Sequence, residues 1–354
     1  MVRSGDAALT RQNEAGLLSN MPKVLLIADF QPGTLGLYYE RAFVDLGWCV
    51  SRYDCSLAYR VPKPLPQVSA LRRAMRPLLW HRMNGQVWEL ASDSWDLIVA
   101  VKAAFLDTAT VEHLRHVCNE LVNIYPDSPW DRWTQRRNVL EPLSHFRRTY
   151  IWSRTLETEL HKVGVPGARY LPFAFDPTDH QSSGGTADAS PRQGVLVFLG
   201  QPHPIRLAYL KALEGLPVRV FGAQWKQSWF GDQSSVRVTR ATPMGAKGRE
   251  IYEQSLVALN IMHEKNLTGH NMRTFEIPPT GALMIGTRTE DVEALFPDGI
   301  ASLSSSSTEE FRQKCNWALA HPEAALRIGR EGASRVHGHT YADRAQAMLQ
   351  DLAL

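Results

Sequence analysis

The sequence contains few cysteines and no long apolar segment, and both features narrow the class of protein. Its 354 residues include four cysteines, Cys49, Cys55, Cys118 and Cys315, which are scattered and lack the paired spacing of a zinc site. We expect reduced thiols and therefore a cytoplasmic protein. No apolar run approaches the ~20 residues of a membrane span. Residues 1–20 lack the apolar core of a signal peptide and are expected to form a flexible tail.

The chain also lacks a strong charge of either sign. Its net charge is +3 at pH 7 and its pI is about 8.6, a balance too mild to argue for nucleic acid as a partner, and the basic segments contain no recognised nucleic-acid-binding motif. Hydrophobic residues make up 44% of the chain and charged residues 21%, which is typical of a soluble globular protein. The length suits about two domains.

Apolar strands alternate with amphipathic helical segments in two successive halves, which predicts two α/β domains with parallel sheets. A segment rich in Ser and Gly separates the halves. We therefore predict a tail at 1–20, a first domain at 21–177, a linker at 178–194, a second domain at 195–338 and a final helical segment at 339–354. The first turn of the first domain, GTLG, lacks the GxGxxG pattern of dinucleotide-binding domains, so no cofactor is assigned to it.

The most informative segment follows the apolar run Leu256–Met262, which predicts a buried strand. A polar loop comes next, and then a short helix that Asn271 or Thr268 can cap. Two prolines at 278–279 must end that helix because they have no amide proton. Since a helix start offers unpaired N–H groups, this one, with Arg273 and Glu276 beside it, is predicted to bind phosphate.

Residues 270–299, HNMRTFEIPPTGALMIGTRTEDVEALFPDG, resemble the signature of the CgeB-type (spore-maturation-like) glycosyltransferases, which belong to the group 1 transferases. The segments LPFAFDP, VFLGQPHPIR, FGAQW and HPEAALRIGREGASRVHGHTYADR resemble other parts of that family in the same order. The resemblance implies an α/β protein of GT-B fold, with two Rossmann-like domains facing a central cleft and the last helix crossing back to the first domain. It also implies transfer of a sugar from a nucleoside-diphosphate donor to an acceptor hydroxyl, without a cofactor. Metal independence is expected, and no Asp-x-Asp is present.

The resemblance assigns a set of donor-binding residues in the second domain. The family has an Arg after the first-strand glycine and a Lys five residues later, both reaching the diphosphate; here these are Gln201 and Arg206. Of two glutamates seven residues apart, the second is Glu276, which is expected to bind the ribose, and the first is replaced by Thr268. The complete set is Gly200, Gln201, Arg206, Thr268, Gly269, His270, Asn271, Arg273 and Glu276.

The catalytic candidates are Asp127 and His263. Asp127 follows a predicted strand at its carboxyl end, where it can accept the proton of an acceptor hydroxyl or simply shape a turn. His263 could donate to the leaving group or be an ordinary polar loop residue. In a GT-B protein the first loop, with Gly33 and Gly36, would lie on the acceptor side, and no metal ligand is assigned.

Segment 60–82 is basic and has no acidic residue. It predicts either a solvated helix or a surface for an anionic acceptor, with membrane contact at most peripheral and at the inner face. Two other functions stay open. One is a sugar-nucleotide-binding protein without catalysis, which Thr268 and Gln201 would suit. The other is a sugar-nucleotide epimerase of the same architecture.

Overall fold

The computed structural model describes residues 21–58, 69–91, 93–118, 120–130, 139–182, 192–266 and 268–354. The predicted tail, most of the predicted linker and the first part of the basic segment lie outside these residues. The chain forms two compact units. Unit 1 contains the described residues up to Ile151 together with Leu156–Tyr170 and Ala345–Leu354, and unit 2 contains Trp152–Thr155 and Leu171–Arg344.

Unit 1 is built on a parallel six-stranded sheet with the order β2-β1-β3-β4-β5-β6. Its central strands are apolar and buried on both faces, as is usual where helices cover a parallel sheet. In chain order its elements are β1 (Lys23–Ala28), α1 (Leu35–Asp45), β2 (Cys49–Asp54), α2 (Ser69–Leu90), β3 (Leu97–Val101), α3 (Thr108–Val117), β4 (Leu121–Tyr125), α4 (Leu140–Ser144), β5 (Arg148–Ile151), α5 (Arg154–Lys162, whose first two residues belong to unit 2) and β6 (Ala168–Tyr170).

Unit 2 is built on a second parallel six-stranded sheet, with the order β12-β11-β10-β7-β8-β9. Its core is apolar and includes Phe198, Trp225 and Leu259, all nearly inaccessible to solvent. Its elements are α6 (Pro177–His180), β7 (Gln193–Leu199), α7 (Pro204–Lys211), β8 (Val218–Phe221), β9 (Val236–Thr239), α8 (Ala246–Glu253), β10 (Ser255–Asn260), α9 (Arg273–Glu276), β11 (Leu283–Thr287), α10 (Glu290–Leu295), β12 (Leu303–Ser305), α11 (Thr308–Ala320), α12 (Pro322–Arg335) and α13 (Tyr341–Leu352, which ends in unit 1).

Each sheet has one point at which the direction of strand addition reverses. In unit 1 this point lies between β1 and β3, and in unit 2 it lies between β7 and β10. The loops that leave such a strand pair diverge to opposite faces of the sheet and open a crevice at its carboxyl edge, where α/β proteins bind ligands. Each unit therefore has one edge at which functional residues are expected.

The first domain predicted from the sequence ended at 177, whereas the contacts divide the units between Tyr170 and Leu171. The last ten residues, Ala345–Leu354, belong to unit 1, where Asp351 accepts hydrogen bonds from Arg148 Nε at 2.8 Å and from Tyr150 Oη at 2.9 Å. None of the helices in the described part of the chain combines the length and the apolar character that a bilayer span requires.

The described part of the basic segment lies on α2. There the Arg76 guanidinium sits over the ring of Trp80, 5.2 Å from its centroid, and Arg82 is exposed. Leu78 on the same helix is 74% exposed. The helix therefore presents both basic and apolar side chains, which keeps both interpretations of the segment open.

Candidate functional site

The predicted donor residues lie on two loops and on the two helices, α7 and α9, that follow them in unit 2. Gly200 and Gln201 follow β7, and Arg206 lies in the first turn of α7. The others follow β10, which is hydrogen-bonded to β7, so both loops leave the sheet at its point of strand reversal. Residues that are 62 to 76 positions apart in the chain thus share one sheet edge.

Arg206 connects the two loops. Its Nε donates to the carbonyl oxygen of Ile261 at 3.0 Å, and its Nη1 donates to the carbonyl oxygen of Gln201 at 3.0 Å. Burial, and after it the nearby charge of Arg273, lower the pKa of Arg206 to about 10. The guanidinium still carries its charge at neutral pH, so the edge holds two neighbouring cations, Arg206 and Arg273.

Gly200 lets the backbone pass close to its neighbours. A Cβ added to it would lie 2.9 Å from the ring of Phe198, and its carbonyl oxygen accepts a hydrogen bond from Trp225 Nε1 at 2.7 Å. Any larger residue would displace the turn between β7 and α7.

Asn271 caps the start of α9, one of the two caps that the sequence offered. Its Oδ1 accepts from the Thr274 N–H at 3.1 Å, and its Nδ2 donates to Asn260 Oδ1 at 2.9 Å. Asn260 Nδ2 in turn donates to Thr274 Oγ1 at 3.1 Å. This network ties α9, whose first residue is Arg273, to the end of β10.

Glu276 is nearly buried, with 3% of its side chain exposed, and it forms an ion pair with Arg273. The Arg273 side chain is 26% exposed, so within this pair the cation is the group that reaches the surface. While the pair is formed, Glu276 offers almost no surface to a ribose. The structure gives this carboxylate a clear role in holding Arg273, in addition to the ribose contact predicted for it.

Sequence reasoning missed His180, because it assigned residue 180 to the linker. The structure places it at the end of α6, 3% exposed, with Nε2 at 3.7 Å from Glu276 Oε1. Its Nδ1 accepts the Asp176 N–H at 2.9 Å, so the neutral ring carries its proton on Nε2, facing Glu276. Burial lowers the pKa of His180 from 6.5 to about 3, with the charge of Arg273 as the second cause.

This lowered pKa predicts a specific loss of stability in acid. Below pH ~6.5 the unfolded chain binds a proton at residue 180 that the folded chain excludes until its pKa of about 3. The stabilising contribution is therefore complete above pH ~6.5 and decreases by up to about 1.4 kcal/mol per pH unit as the pH falls. We expect His180→Gln to reduce the slope of unfolding free energy against pH, measured by urea denaturation between about pH 7 and pH 4.5.

The control for that measurement is His116→Gln. His116 is an exposed residue of α3, and its Nδ1 is hydrogen-bonded to the carbonyl oxygen of Glu112. It should leave the slope unchanged. An identical slope for His180→Gln and the parent would contradict the buried neutral state of His180.

His270 was predicted to bind the donor, and the structure assigns its ring a different task. The side chain is fully buried, Nε2 accepts the Phe173 N–H at 3.1 Å, and Nδ1 is hydrogen-bonded to Asp291 Oδ2 at 2.8 Å. Because both nitrogens are engaged within unit 2, the ring has no N–H left for a phosphate. Burial lowers its pKa, which agrees with a neutral ring whose Nδ1 proton goes to Asp291.

The two residues before His270 differ in exposure. Thr268 is exposed, whereas Gly269 is buried. A Cβ added to Gly269 would lie 3.2 Å from the ring of Trp152 and 3.4 Å from Asp291 Oδ2. Gly269 is therefore needed for packing at this turn, and Thr268 is the member of the pair that a ligand could touch.

In unit 1, Asp127 follows β4, and its Oδ2 lies 2.6 Å from Nζ of Lys102, which follows the adjacent strand β3. Both side chains are partly exposed, at 43% for Asp127 and 35% for Lys102. Lys102 and Ala103 have φ angles of 63° and 34°, which non-glycine residues seldom adopt. Such strain is often found at functional sites, and here it lies directly beside Asp127, a proximity that the sequence did not reveal.

Gly33 and Gly36 lie in the loop after β1, at the strand reversal of unit 1. Gly33 has a φ of 80°, and a Cβ on Gly36 would lie 2.4 Å from the carbonyl oxygen of Asp29. Both glycines are therefore required by the backbone of the turn into α1. Their predicted acceptor-side role remains a prediction.

The other catalytic candidate, His263, lies on the loop after β10 in unit 2. Its ring is close to that of His203, with 3.8 Å between the two ring centroids. The sequence did not associate these two histidines, because they are sixty residues apart and fit no spacing motif.

Residues 205–350 match a family model described as glycosyl transferase-like. No curated protein sequence matches the chain. Among solved structures, Alr3699/HepE of Anabaena in complex with UDP-glucose is similar with a TM-score of 0.64 and 13% identity, over 94% of this chain and 99% of that chain. AviGT4, a glycosyltransferase involved in avilamycin A biosynthesis, is similar with a TM-score of 0.58 and 14% identity, over 94% and 98%.

An alpha-glucosyltransferase in complex with UDP-glucose and DNA containing an abasic site is similar with a TM-score of 0.59 and 11% identity, over 94% of this chain and 99% of that chain. At these identities the likeness establishes the fold. Together with the two parallel six-stranded sheets, it confirms the α/β fold of GT-B type predicted from the sequence.

Proposed function

We propose that this protein is a glycosyltransferase that moves a sugar from a nucleoside-diphosphate donor to an acceptor hydroxyl. The observation that carries the proposal is the pair of neighbouring guanidinium groups, Arg206 and Arg273, at the strand reversal of unit 2. Both lie within residues 205–350, which match the glycosyl transferase-like family model. Two of the similar structures contain UDP-glucose, which supports a nucleotide sugar as the donor.

The chemistry of the reaction explains why cations would be placed there. Negative charge grows on the diphosphate as the bond to the sugar breaks, and positioned charges in a partly buried site stabilise it. Arg273 is held by Glu276 and reaches the surface at the start of α9. Arg206 holds the carbonyl groups of both loops and so keeps the edge in one arrangement.

The finer assignment is to the CgeB-type branch of the group 1 transferases, on the basis of residues 270–299. Asp127 in unit 1 is the residue proposed to orient the acceptor hydroxyl or to take its proton. The half-buried Arg76 and the exposed Arg82 of α2 make an anionic acceptor the class to test first.

The proposal is tested in two steps. A thermal-shift screen of nucleoside diphosphates and their sugars identifies the donor, because a ligand that binds only the folded state raises the melting temperature. The selected donor is then incubated with and without candidate acceptors, and released nucleoside diphosphate and sugar products are measured.

A transferase, an epimerase and a binding protein differ in what happens to the donor. A transferase releases nucleoside diphosphate in step with glycosylated acceptor, which is the expected result. An epimerase would convert the donor sugar without any acceptor. A donor that binds but is never consumed with any acceptor class would indicate a binding protein and would overturn the proposal.

A further inference from the structure

Three side chains on the loops after β7 and β10, at the strand reversal of unit 2, lie close enough together to bind one metal ion. His203, His263 and Glu264 each offer one donor atom, and these atoms all lie within 4.8 Å of one another. Among the residues that the structure describes, this is the one such group of three with His, Cys, Asp or Glu ligands.

The fold itself brings the three residues together. His203 directly precedes α7 in the loop after β7, while His263 and Glu264 follow β10. The strands β7 and β10 are adjacent and parallel, with Phe198 opposite Leu259, so both loops begin at the same level of the sheet. Arg206 then fixes the loops to each other through its two carbonyl contacts.

The imidazole ring of His203 lies beside Glu264 and His263 but forms no hydrogen bond with either of them. Its Nε2 lies 3.6 Å from Glu264 Oε1, which is too long for a hydrogen bond. Its Nδ1 is buried and has no hydrogen-bond partner either, so neither ring nitrogen of His203 is engaged in a hydrogen bond with a described residue. The His263 ring is tilted by 46° at a centroid distance of 3.8 Å, so the two imidazoles do not stack face to face.

The separation between His203 and Glu264 suits a small cation. Two ligands bound to one tetrahedral ion with bonds of about 2.0–2.2 Å lie about 3.3–3.6 Å apart, because the tetrahedral edge is longer than the bond by a factor of about 1.6. The separation of 3.6 Å between His203 Nε2 and Glu264 Oε1 fits this range. The Glu264 side chain is 59% exposed, which leaves the outer side of the cluster open to a further ligand.

We propose that His203, His263 and Glu264 bind one divalent cation of the zinc class. Two imidazoles and one carboxylate form a ligand set that suits Zn²⁺ and its neighbours better than Mg²⁺ or Ca²⁺, which prefer oxygen ligands. The fourth coordination position of the cation is on the outer side of the cluster and can hold water or an anionic oxygen. This proposal departs from the metal independence that the family resemblance implies, and it does not depend on the proposed function.

The test is equilibrium dialysis of the full-length protein against Zn²⁺, with metal analysis of the protein compartment, followed by Co²⁺ titration monitored by its visible absorption. We expect about one Zn²⁺ per chain, as one three-ligand site requires, and a Co²⁺ spectrum of tetrahedral type. His203→Ala, His263→Ala and Glu264→Gln should each weaken Zn²⁺ binding by about 100-fold or more, since loss of outer-shell groups alone costs about 10–100-fold.

His116→Ala is the matched control, because it removes an exposed histidine of unit 1 that takes no part in the cluster. Its Zn²⁺ affinity should equal that of the parent. Circular dichroism establishes that each variant is folded, and all titrations are made without nucleotide, so the result stands whether or not a sugar donor is found. A parent that binds no stoichiometric Zn²⁺, or three cluster variants that bind it as well as His116→Ala does, would overturn the proposal.

Discussion

Arg273→Ala is expected to destabilise the protein and to weaken nucleotide-sugar binding at the same time. Removal of Arg273 leaves the carboxylate of Glu276, 3% exposed, without its partner. Breaking a buried ion pair from one side costs about 3–5 kcal/mol, and the partial exposure of Arg273 favours the lower end of that range. Loss of a charged hydrogen bond to the donor should cost a further ~1.5–3 kcal/mol of binding free energy.

A double variant separates these two effects. In Arg273→Ala/Glu276→Gln the buried charge is gone as well, so most of the lost stability should return while donor affinity stays low. Unfolding by urea and calorimetric titration of the donor measure the two quantities independently. Recovery of donor affinity in the double variant would show that Arg273 acts only by neutralising Glu276. Parent-like stability and affinity in Arg273→Ala would remove the pair from the donor site.

Asp127→Asn is expected to keep donor binding and to lose most of the transfer activity. A carboxylate that orients the acceptor hydroxyl or takes its proton contributes about 10²–10⁴ in rate. Asn is similar in size and also a good turn residue, so it preserves the local backbone but cannot act as a base. The expected measurement is a fall of kcat by that factor with an unchanged donor affinity.

The structure provides a control for this variant in Lys102→Ala. Lys102 and Asp127 are ion-paired and partly exposed, and such pairs contribute about 0–1 kcal/mol to stability, so both variants should remain folded. If Asp127 serves catalysis, Lys102→Ala retains the carboxylate and much of the activity. If Asp127→Asn retains the transfer rate of the parent protein, or if both variants lose transfer activity equally, the role of Asp127 is limited to shaping the loop with Lys102.

Much of the fold follows directly from the sequence. The apolar patterns predict strands at 23–28 and 121–125 and helices at 308–320 and 341–352. The elements β1, β4, α11 and α13 have these bounds, because each is a long or strongly apolar run between polar residues. The short strands β6, β9 and β12 have three or four residues, and β12 reads Leu-Ser-Ser. Their hydrogen bonds to a neighbouring strand define them, and periodicity cannot detect such pairing.

The positions of the predicted donor residues in the fold could be read from the sequence, but their contacts could not. A motif places Arg273 and Glu276 beside a helix start, and the structure agrees, but only the three-dimensional contacts show that Glu276 is covered by Arg273. His270 looked like a ligand-binding loop residue because burial cannot be read from a polar segment. His203 and His180 were missed for another reason: each meets its partner across more than fifty residues of chain, and His180 lies in a segment that reads as a linker.

The most direct test of the central claim is amide hydrogen exchange of the protein with and without a saturating nucleoside diphosphate sugar. Exchange reports local opening, so a bound ligand protects the segments it contacts. We expect the strongest protection in peptides that cover 200–206 and 261–276, on both sides of the strand reversal in unit 2. Binding that leaves these peptides unprotected, or that protects only peptides of unit 1, would contradict the assignment of unit 2 as the donor site.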